Sequence, residues 1–529
     1  MERYFNLLYE PWIPCIDQNN HKVNYGLRDA LAKSNAIKSI STPIPTVTAA
    51  MNLLLLAYAL AVFPLENEDE WEYLYAQGRF PDESIHNYNH AWQDRFFLFD
   101  EQHPFFQDPK LGLREKDLNL LGNGQKPKEK GLSSLLIHLS SGDNATLFDH
   151  SVDGTQKVYD ISEAAQFLVM LQAYSLGGMT AASIGNDKYY KDAAFSRGIL
   201  FLNRGENLFE SLMLNLIPKE KDTYSQEEGD RPCWEIDDPF EVDRGSPLGL
   251  KDLLTWQSRR VLLIPIEQNG NFYVQECFVA PGLGLVESFV NPFYHNSHNI
   301  KGNKQTIQPM RFQTSRAIWR DSDAILETNI RDKNNPVDPP ITTLFFDSLI
   351  AAEIIQKTIF RLSLFGMCTQ PGQKKVFFYN HEYFDAPAVY LENQALLNKL
   401  KLGLSWVEDG RRALYSATYL MASYKIDPNQ DSEGSSPPNR DSVNPLYEHI
   451  NTEALYWSRL EPDFYQFLNQ LPATDEALPI WQEAIRSAAK ACLAASTKLV
   501  GDDPAALKAI AKAEVRLAYN LNQIFNPPK

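Results

Sequence analysis

Four long stretches with helical apolar spacing fill the end of this chain, and they constrain its fold more than any other feature. From about Ala386 onward they run roughly Gln394–Tyr424, Val443–Leu471, Leu478–Leu499 and Pro504–Phe525. In the last, Asp503 is expected as N-cap and Pro504 at the first helical position, where a missing N–H costs nothing. Its apolar residues Leu507, Ile510, Ala511, Leu517, Leu521 and Ile524 recur with helical period. The third carries Ile485, Ala489, Cys492, Ser496 and Leu499 on one face. Helices with an apolar stripe must cover it, and four in succession do so as an antiparallel bundle. Lys425–Ser442, rich in Asp, Ser, Pro and Asn, is expected to be a disordered connection.

The rest of the chain reads as mixed structure. Phe5 to Pro14 reads as an opening strand that ends at a proline, and Thr46 to Phe63 as a buried helix. Gly122 to Lys130 is a Gly/Pro/Lys loop. Ser162 to Tyr174 has helical spacing, with Ser162 as cap and Gly177-Gly178 as C-terminal stop. Pro218–Pro232 is polar and charged, a mobile loop by composition. Val261–Ile266 and Asn271–Val274 flank Gln268-Asn269-Gly270, a hairpin signature. Pro265 places the first of these strands at a sheet edge or a bulge. The expected fold class is α+β: a large mixed N-terminal domain over residues 1–385, then a four-helix bundle over 386–529.

Composition excludes several classes. Five cysteines, Cys15, Cys233, Cys277, Cys368 and Cys492, are odd in number, far apart and form no CxxC pair. Neither a disulfide framework nor a zinc ribbon is supported, and the compartment expected is reducing and cytoplasmic. There is no signal-peptide pattern at the N-terminus. The most apolar run, Ala49–Phe63, is interrupted by Asn52 and is shorter than the roughly 20 residues that span a bilayer. No membrane role is expected. With a formal net charge of −17 and a pI near 5.1, the chain is a poor free-standing binder of nucleic acid, because such binding rests on Lys and Arg contacts to phosphate.

Against that charge, two windows hold no Asp or Glu. Ser288–Arg320 spans 33 positions that would carry about four acids by proportion. It holds Lys301, Lys304, Arg311, Arg316 and Arg320 instead. Ile354–His381 is the other, and within it Gly366 to Lys375 reads as a loop. Two places that tolerate a polyanion on an acidic surface suggest local phosphate contacts, with a partner supplying the remaining binding.

Several ordered segments carry a resemblance. They are Asn6 to Pro14, Phe99 to Phe105, Leu147-Phe148-Asp149-His150, Gln172 to Gly178, Gly205 to Glu210, Leu253 to Arg260 and the helical tail. In that order they resemble the large subunit of the type I-E CRISPR surveillance complex Cascade, the CasA family. The resemblance runs from end to end. It implies a non-catalytic protein without a cofactor, seated at the crRNA 5′ end. Such a protein reads the protospacer-adjacent motif (PAM) in duplex DNA, helps to open the duplex and recruits a separate helicase-nuclease. The implied partners are the backbone, small and crRNA-end subunits, crRNA and double-stranded target DNA. Protein reading a short motif while base pairing reads the rest is the general logic of RNA-guided recognition.

The family's roles map onto particular residues here. Gly372-Gln373-Lys374-Lys375 best matches a hairpin loop whose glutamine inserts beneath the motif as a wedge. Gln373 is therefore the expected wedge, with Lys374 and Lys375 as phosphate clamps. Gln370 is the competitor, because this loop is slightly longer than the family's. A solvated hairpin tip is the plain alternative. Gly177 and Gly178 match the family's glycine loop, where bare backbone approaches the minor groove; a helix C-cap is the alternative. Phe148, with Asp149 and His150, matches a loop aromatic that holds a crRNA base or the backbone subunit; a core Phe is equally compatible. Some members place a lysine after the hairpin, but Val279–Leu285 has none, which leaves Lys301 or Lys304 to replace it. Some also bind zinc near here, which Cys277 alone cannot do.

Two rival classes compete. His295-Asn296-Ser297-His298-Asn299 invites an HNH-type nuclease, but Ile300–Gln308 offers no carboxylate for a metal. A helical scaffold that binds no nucleic acid is the other, and the acid-free windows speak against it. No Cys is paired with His or Asp by spacing, so a thiol enzyme has no support.

Overall fold

The computed structural model describes residues 3–526, apart from 119–124, 137–156, 181, 183, 185–188, 226–228, 243, 302–303, 329–336, 370–375 and 434–435. It is mixed helix and strand with a helical C-terminal region, and its contacts divide it into two compact units. Unit 1 is Met1–Arg316, Thr328–Gln356 and Arg361–Phe384; unit 2 is Ala317–Glu327, Lys357–Phe360 and Asp385–Lys529.

Unit 1 is built on α1 (Leu27–Ala32), α2 (Pro45–Val62), α3 (Glu68–Ala76), α4 (Asp82–Trp92), α5 (Ile161–Tyr174), α6 (Leu208–Met213), α7 (Leu250–Leu254) and α9 (Ile341–Ala351). The expected helix after Thr46 is α2. Nearly all of its residues are buried, packed against α5 and α7. Among the described residues α2 alone is long and apolar enough to cross a membrane, and its burial makes it the central core helix of this unit.

Small antiparallel sheets surround that core. The opening segment is two strands, β1 (Tyr4–Asn6) and β2 (Ile13–Asp17), with a turn between, so Pro14 lies inside a strand rather than ending one. Strand β1 pairs with β5 (Phe97–Phe99), and β2 sits between β3 (Lys22–Tyr25) and β4 (Ile37–Ile40). The Asn269-Gly270 hairpin is present, with positive φ of 53° and 79°, as a tight two-residue turn demands. It joins β11 (Arg259–Gln268) to β12 (Asn271–Pro281), the register shifts at Ile264/Pro265, and β11 is an edge strand, so the proline meets both expectations. Strands β6 (Lys130–Gly131) and β7 (Tyr159–Asp160) also pair with β12. Described residues of the Pro218–Pro232 segment are held to α7: Ser225 Oγ accepts from Leu250 N, and Asp230 accepts from Lys251 N and Asp252 N, capping the helix.

Unit 2 holds α8 (Ser322–Ile325), α10 (Val389–Glu392), α11 (Gln394–Ile426), α12 (Arg440–Ile450), α13 (Glu453–Gln470), α14 (Ala477–Val500) and α15 (Pro504–Phe525). The expected second helix is two, broken at Asn451-Thr452. Helix α11 packs against α15, α14 and α12, and α13 against α14. Two glycines let α11 approach its neighbours. A Cβ at Gly403 would lie 2.7 Å from the Phe467 ring, and one at Gly410 would lie 2.5 Å from Tyr456 Oη. Trp481 Nε1 donates to Gly403 O at 3.0 Å and Tyr456 Oη to Val407 O at 2.9 Å, so the tight contacts also satisfy buried polar groups.

The face of α14 is as expected except for Leu499, which is exposed. That of α15 is rotated: Ala506, Ala509, Ala513, Leu517, Leu521 and Phe525 are buried and Leu507 is 60 % exposed. Small alanines allow α11 to come close, so they, not the larger Leu507, take the inside. Asp503 caps α15 through Ala506 N. Among the described residues of the 425–442 connection, Asp431 is anchored, accepting from Tyr424 and from Lys512.

Candidate nucleic-acid interface

Gly177 and Gly178 stand on a buried polar lock. Helix α5 is capped by Asp160, whose carboxylate accepts from Glu163 N at 2.8 Å, rather than by Ser162. Near its other end, buried Gln172 donates to Arg259 O at 2.9 Å and accepts from Arg259 N at 2.9 Å. Ser258 Oγ donates to Gln172 O at 2.7 Å. The Arg259 guanidinium donates to Ser258 O and Leu176 O and lies 4.8 Å over the Tyr190 ring. Burial draws its pKa down to about 10, which leaves it charged at neutral pH.

The helix ends at Tyr174 with Ser175 extended, so the glycines are not its C-cap. Neither has the positive φ such a cap takes. They instead enter β8 (Gly178–Met179), which pairs with β9 (Tyr189–Tyr190). Gly177 N donates to Asp192 Oδ1 at 2.6 Å, and a Cβ there would sit 2.8 Å from Tyr190 O, so only glycine fits. Met179 is 86 % exposed, which puts this short hairpin at the surface.

The acid-free window at 288–320 divides. Lys301 and Lys304 face each other across the last register position of the hairpin β13 (Asn296–Lys301) and β14 (Lys304–Pro309). Arg320 is committed elsewhere: within unit 2 it pairs with Glu408 at 2.6 Å and covers the Trp457 ring at 3.4 Å. His295 is buried, and His298 Nε2 lies 2.6 Å from Asp338 Oδ2, held by the pairing of β13 with β15 (Val337–Asp338). That carboxylate was invisible to local sequence reading. It pairs with His298, and no group of three His, Cys, Asp or Glu side chains forms among the described residues. All five cysteines are free and buried, and burial pushes the Cys277 thiol up to about 12, away from the thiolate that zinc or nucleophilic chemistry needs.

In the second window, Gly366 to Thr369 is strand rather than loop. It is the end of β16 (Ile359–Thr369), which joins β10 (Leu200–Asn203) and β17 (Val376–Pro387) in one sheet with β16 in the centre. Gln370, Gly372, Gln373, Lys374 and Lys375 lie outside the described residues, as do Phe148, Asp149 and His150. Even-numbered Leu362, Leu364, Phe384 and Ala386 face the core. The odd-numbered side carries a feature that sequence reading missed. Phe365 stacks on His381 at 4.0 Å, His381 meets Tyr383 edge-on at 4.6 Å, and Arg204 lies 4.6 Å over Tyr383. These four residues line a cleft of about 170 Å³ with Asn52 and Ser363 among its walls. The alternation Phe377, Tyr379, His381, Tyr383 was the available signal.

The family described as CRISPR-associated protein Cse1 matches residues 6–492. A curated relative, CRISPR-associated protein CasA/Cse1 of Thermus thermophilus, is 29 % identical over 542 residues, covering 98 % of each chain. Among solved structures, CasA of Thermus thermophilus superimposes with a TM-score of 0.75 at 24 % identity over 98 % of this chain and 99 % of that one. Cse1 from Acidimicrobium ferrooxidans gives 0.78 at 22 % identity over 99 % of each. A chain of a CRISPR RNA-guided surveillance complex gives 0.73 at 23 % identity, covering 97 % of this chain and 99 % of that one. The structural likenesses show a shared fold.

Proposed function

This chain belongs to the CasA/Cse1 family, the large subunit of type I-E Cascade, and from that premise we propose that it reads the PAM in duplex DNA and starts R-loop formation. The observation that carries this reading is the family match, which runs across both units. The chain works without catalysis of its own, in the cytoplasm. It docks at the crRNA 5′ end beside the backbone, small and crRNA-end subunits and presents a surface to the helicase-nuclease.

Gln373 acts as the wedge, with Gln370 as its rival. Strands of 11 and 12 residues, β16 and β17, flank residues 370–375. A wedge needs such a stiff base, because unstacking a base step costs a few kcal/mol. The exposed β8–β9 hairpin, fixed from below by Gln172 and Arg259, supports a minor-groove role for Gly177 and Gly178. Lys301 and Lys304, at the tip of β13–β14, supply the cations that Val279–Leu285 lacks.

The test is R-loop formation on fully paired target DNA by the complex reconstituted with crRNA and the remaining subunits. Gln373→Ala is expected to abolish opening while leaving assembly intact. Normal opening by Gln373→Ala with loss in Gln370→Ala moves the wedge to Gln370. Normal opening in both variants sinks the wedge assignment.

A further inference from the structure

We propose that the odd-numbered face of β17, with Arg204 and Phe365, is a stacking platform for unpaired bases of the displaced DNA strand just beyond the wedge. The inference rests on the wedge reading for its position and on separate geometry for its chemistry.

Alternate residues of a strand share a face, so Phe377, Tyr379, His381 and Tyr383 form one aromatic row along β17. The row begins two residues after Lys375 and ends in the cleft beside Arg204. Strand β17 is at the edge of its sheet, and among the described residues no further strand pairs with it. Phe377 and Tyr383 are 55 % and 56 % exposed, an unusual cost for a row with only a structural role. The inner rings are held rigid: Phe365, His381, Tyr383 and the Arg204 guanidinium form a continuous series with spacings of 4.0, 4.6 and 4.6 Å.

The chemistry matches single-stranded nucleic acid. Every base offers a π-face, so a row of rings beside cations binds unpaired strands with little sequence preference. Burial and the neighbouring Arg204 hold His381 down to about 4, so its ring is neutral and stacks without charge. The segment from Ile354 to His381 has no acid; Glu382, on the other face of the strand, accepts from Asn380 Nδ2, and Asp385 follows only beyond Tyr383. Arg361 on the same side of β16 is paired with Glu206, which neutralises the nearest carboxylate lining the cleft. A duplex presents no base faces to such a row, and a protein partner would not require the missing acids.

The experiment uses the reconstituted complex and a target whose motif-proximal bases are mismatched, so that opening does not depend on the wedge. 5-Iodouracil placed in the displaced strand, the target strand or the crRNA is cross-linked by light, and the modified peptide is identified by mass spectrometry. Cross-linking from the displaced strand to the peptide holding Phe377–Tyr383 is expected. Phe377→Leu and Tyr383→Leu should each weaken binding of this target roughly tenfold, whereas Tyr383→Phe should not. The effect should vanish on a target lacking the displaced strand across that segment. Both rings are largely exposed, and an unchanged melting temperature confirms that the leucine variants fold. Cross-links only from target strand or crRNA, or equal weakening on both targets, would overturn the platform. Loss of wedge function would show only on fully paired DNA, so the two ideas fail separately.

Discussion

Gln172 and Arg259, 87 residues apart, bind each other's polar groups in both directions: the Gln172 amide donates to Arg259 O and accepts from Arg259 N, both at 2.9 Å. One side chain thereby completes the start of β11 and fixes it to the end of α5. Gln172→Leu keeps the volume and removes both bonds, leaving a buried N–H and C=O without their partner. Each such group costs about 1–3 kcal/mol. The variant is expected to unfold at lower denaturant with an unchanged slope. Wild-type stability would show that other groups hold the strand.

Gly177→Ala tests the surface hairpin that this lock supports. Its Cβ would meet Tyr190 O at 2.8 Å, and backbone cannot yield as a flexible side chain does. The expected result is at least a tenfold loss of PAM-duplex binding by the assembled complex, as β8 shifts away from β9 to relieve the overlap. Gly131→Ala is the control, because its Cβ would meet nothing nearer than Ser133 Oγ at 3.6 Å. Equal behaviour of the two variants would remove Gly177 from the interface.

Within the helical unit, alanine at Gly410 sets two effects against each other. Helix propensity favours alanine by about 1 kcal/mol. Overlap with Tyr456 Oη at 2.5 Å and Ile485 Cγ2 at 2.7 Å costs about 1–3 kcal/mol in a packed core. Overlap should win, giving a lower melting temperature for Gly410→Ala. Adding Tyr456→Phe removes one clashing atom, so the double variant should lose less than the two single effects summed. Strict additivity would show that the hydroxyl is not the obstacle.

Much of this architecture was legible where a pattern is local. The helical period placed α11, α14 and α15, and Asn269-Gly270 located its hairpin through its demand for positive φ. Which stripe of α15 faces inward was not legible, because that depends on how closely α11 approaches: alanines beat Leu507. The break at Asn451-Thr452 lay within a run whose period continues on both sides. Gly177-Gly178 follows a helix and so resembled a stop, although the pairing of β8 with β9 claims it. For the candidate interface, composition pointed to the acid-free windows, but it could not tell Arg320, spent on Glu408, from cations at a surface. The Gln172–Arg259 and His298–Asp338 contacts join residues far apart in the chain, and local spacing carries no trace of them.

His381 makes stability depend on pH in a defined direction. Burial first, and Arg204 second, lower its pKa from 6.5 to about 4 in the fold. Between those values the unfolded chain binds the proton more readily than the folded one. Stability therefore rises with pH across that window and is lost as pH falls through it. Carboxylates titrate in the same range, so the informative comparison is with His381→Phe, which keeps a ring against Phe365 and Tyr383 but cannot be protonated. Between pH 6.5 and 4 the wild-type melting temperature should fall further than that of His381→Phe, and above pH 7 the two curves should run parallel. If they run parallel throughout, the imidazole is more solvated than the Phe365–His381–Tyr383 stack implies, and the rigid inner end of the aromatic row fails with it.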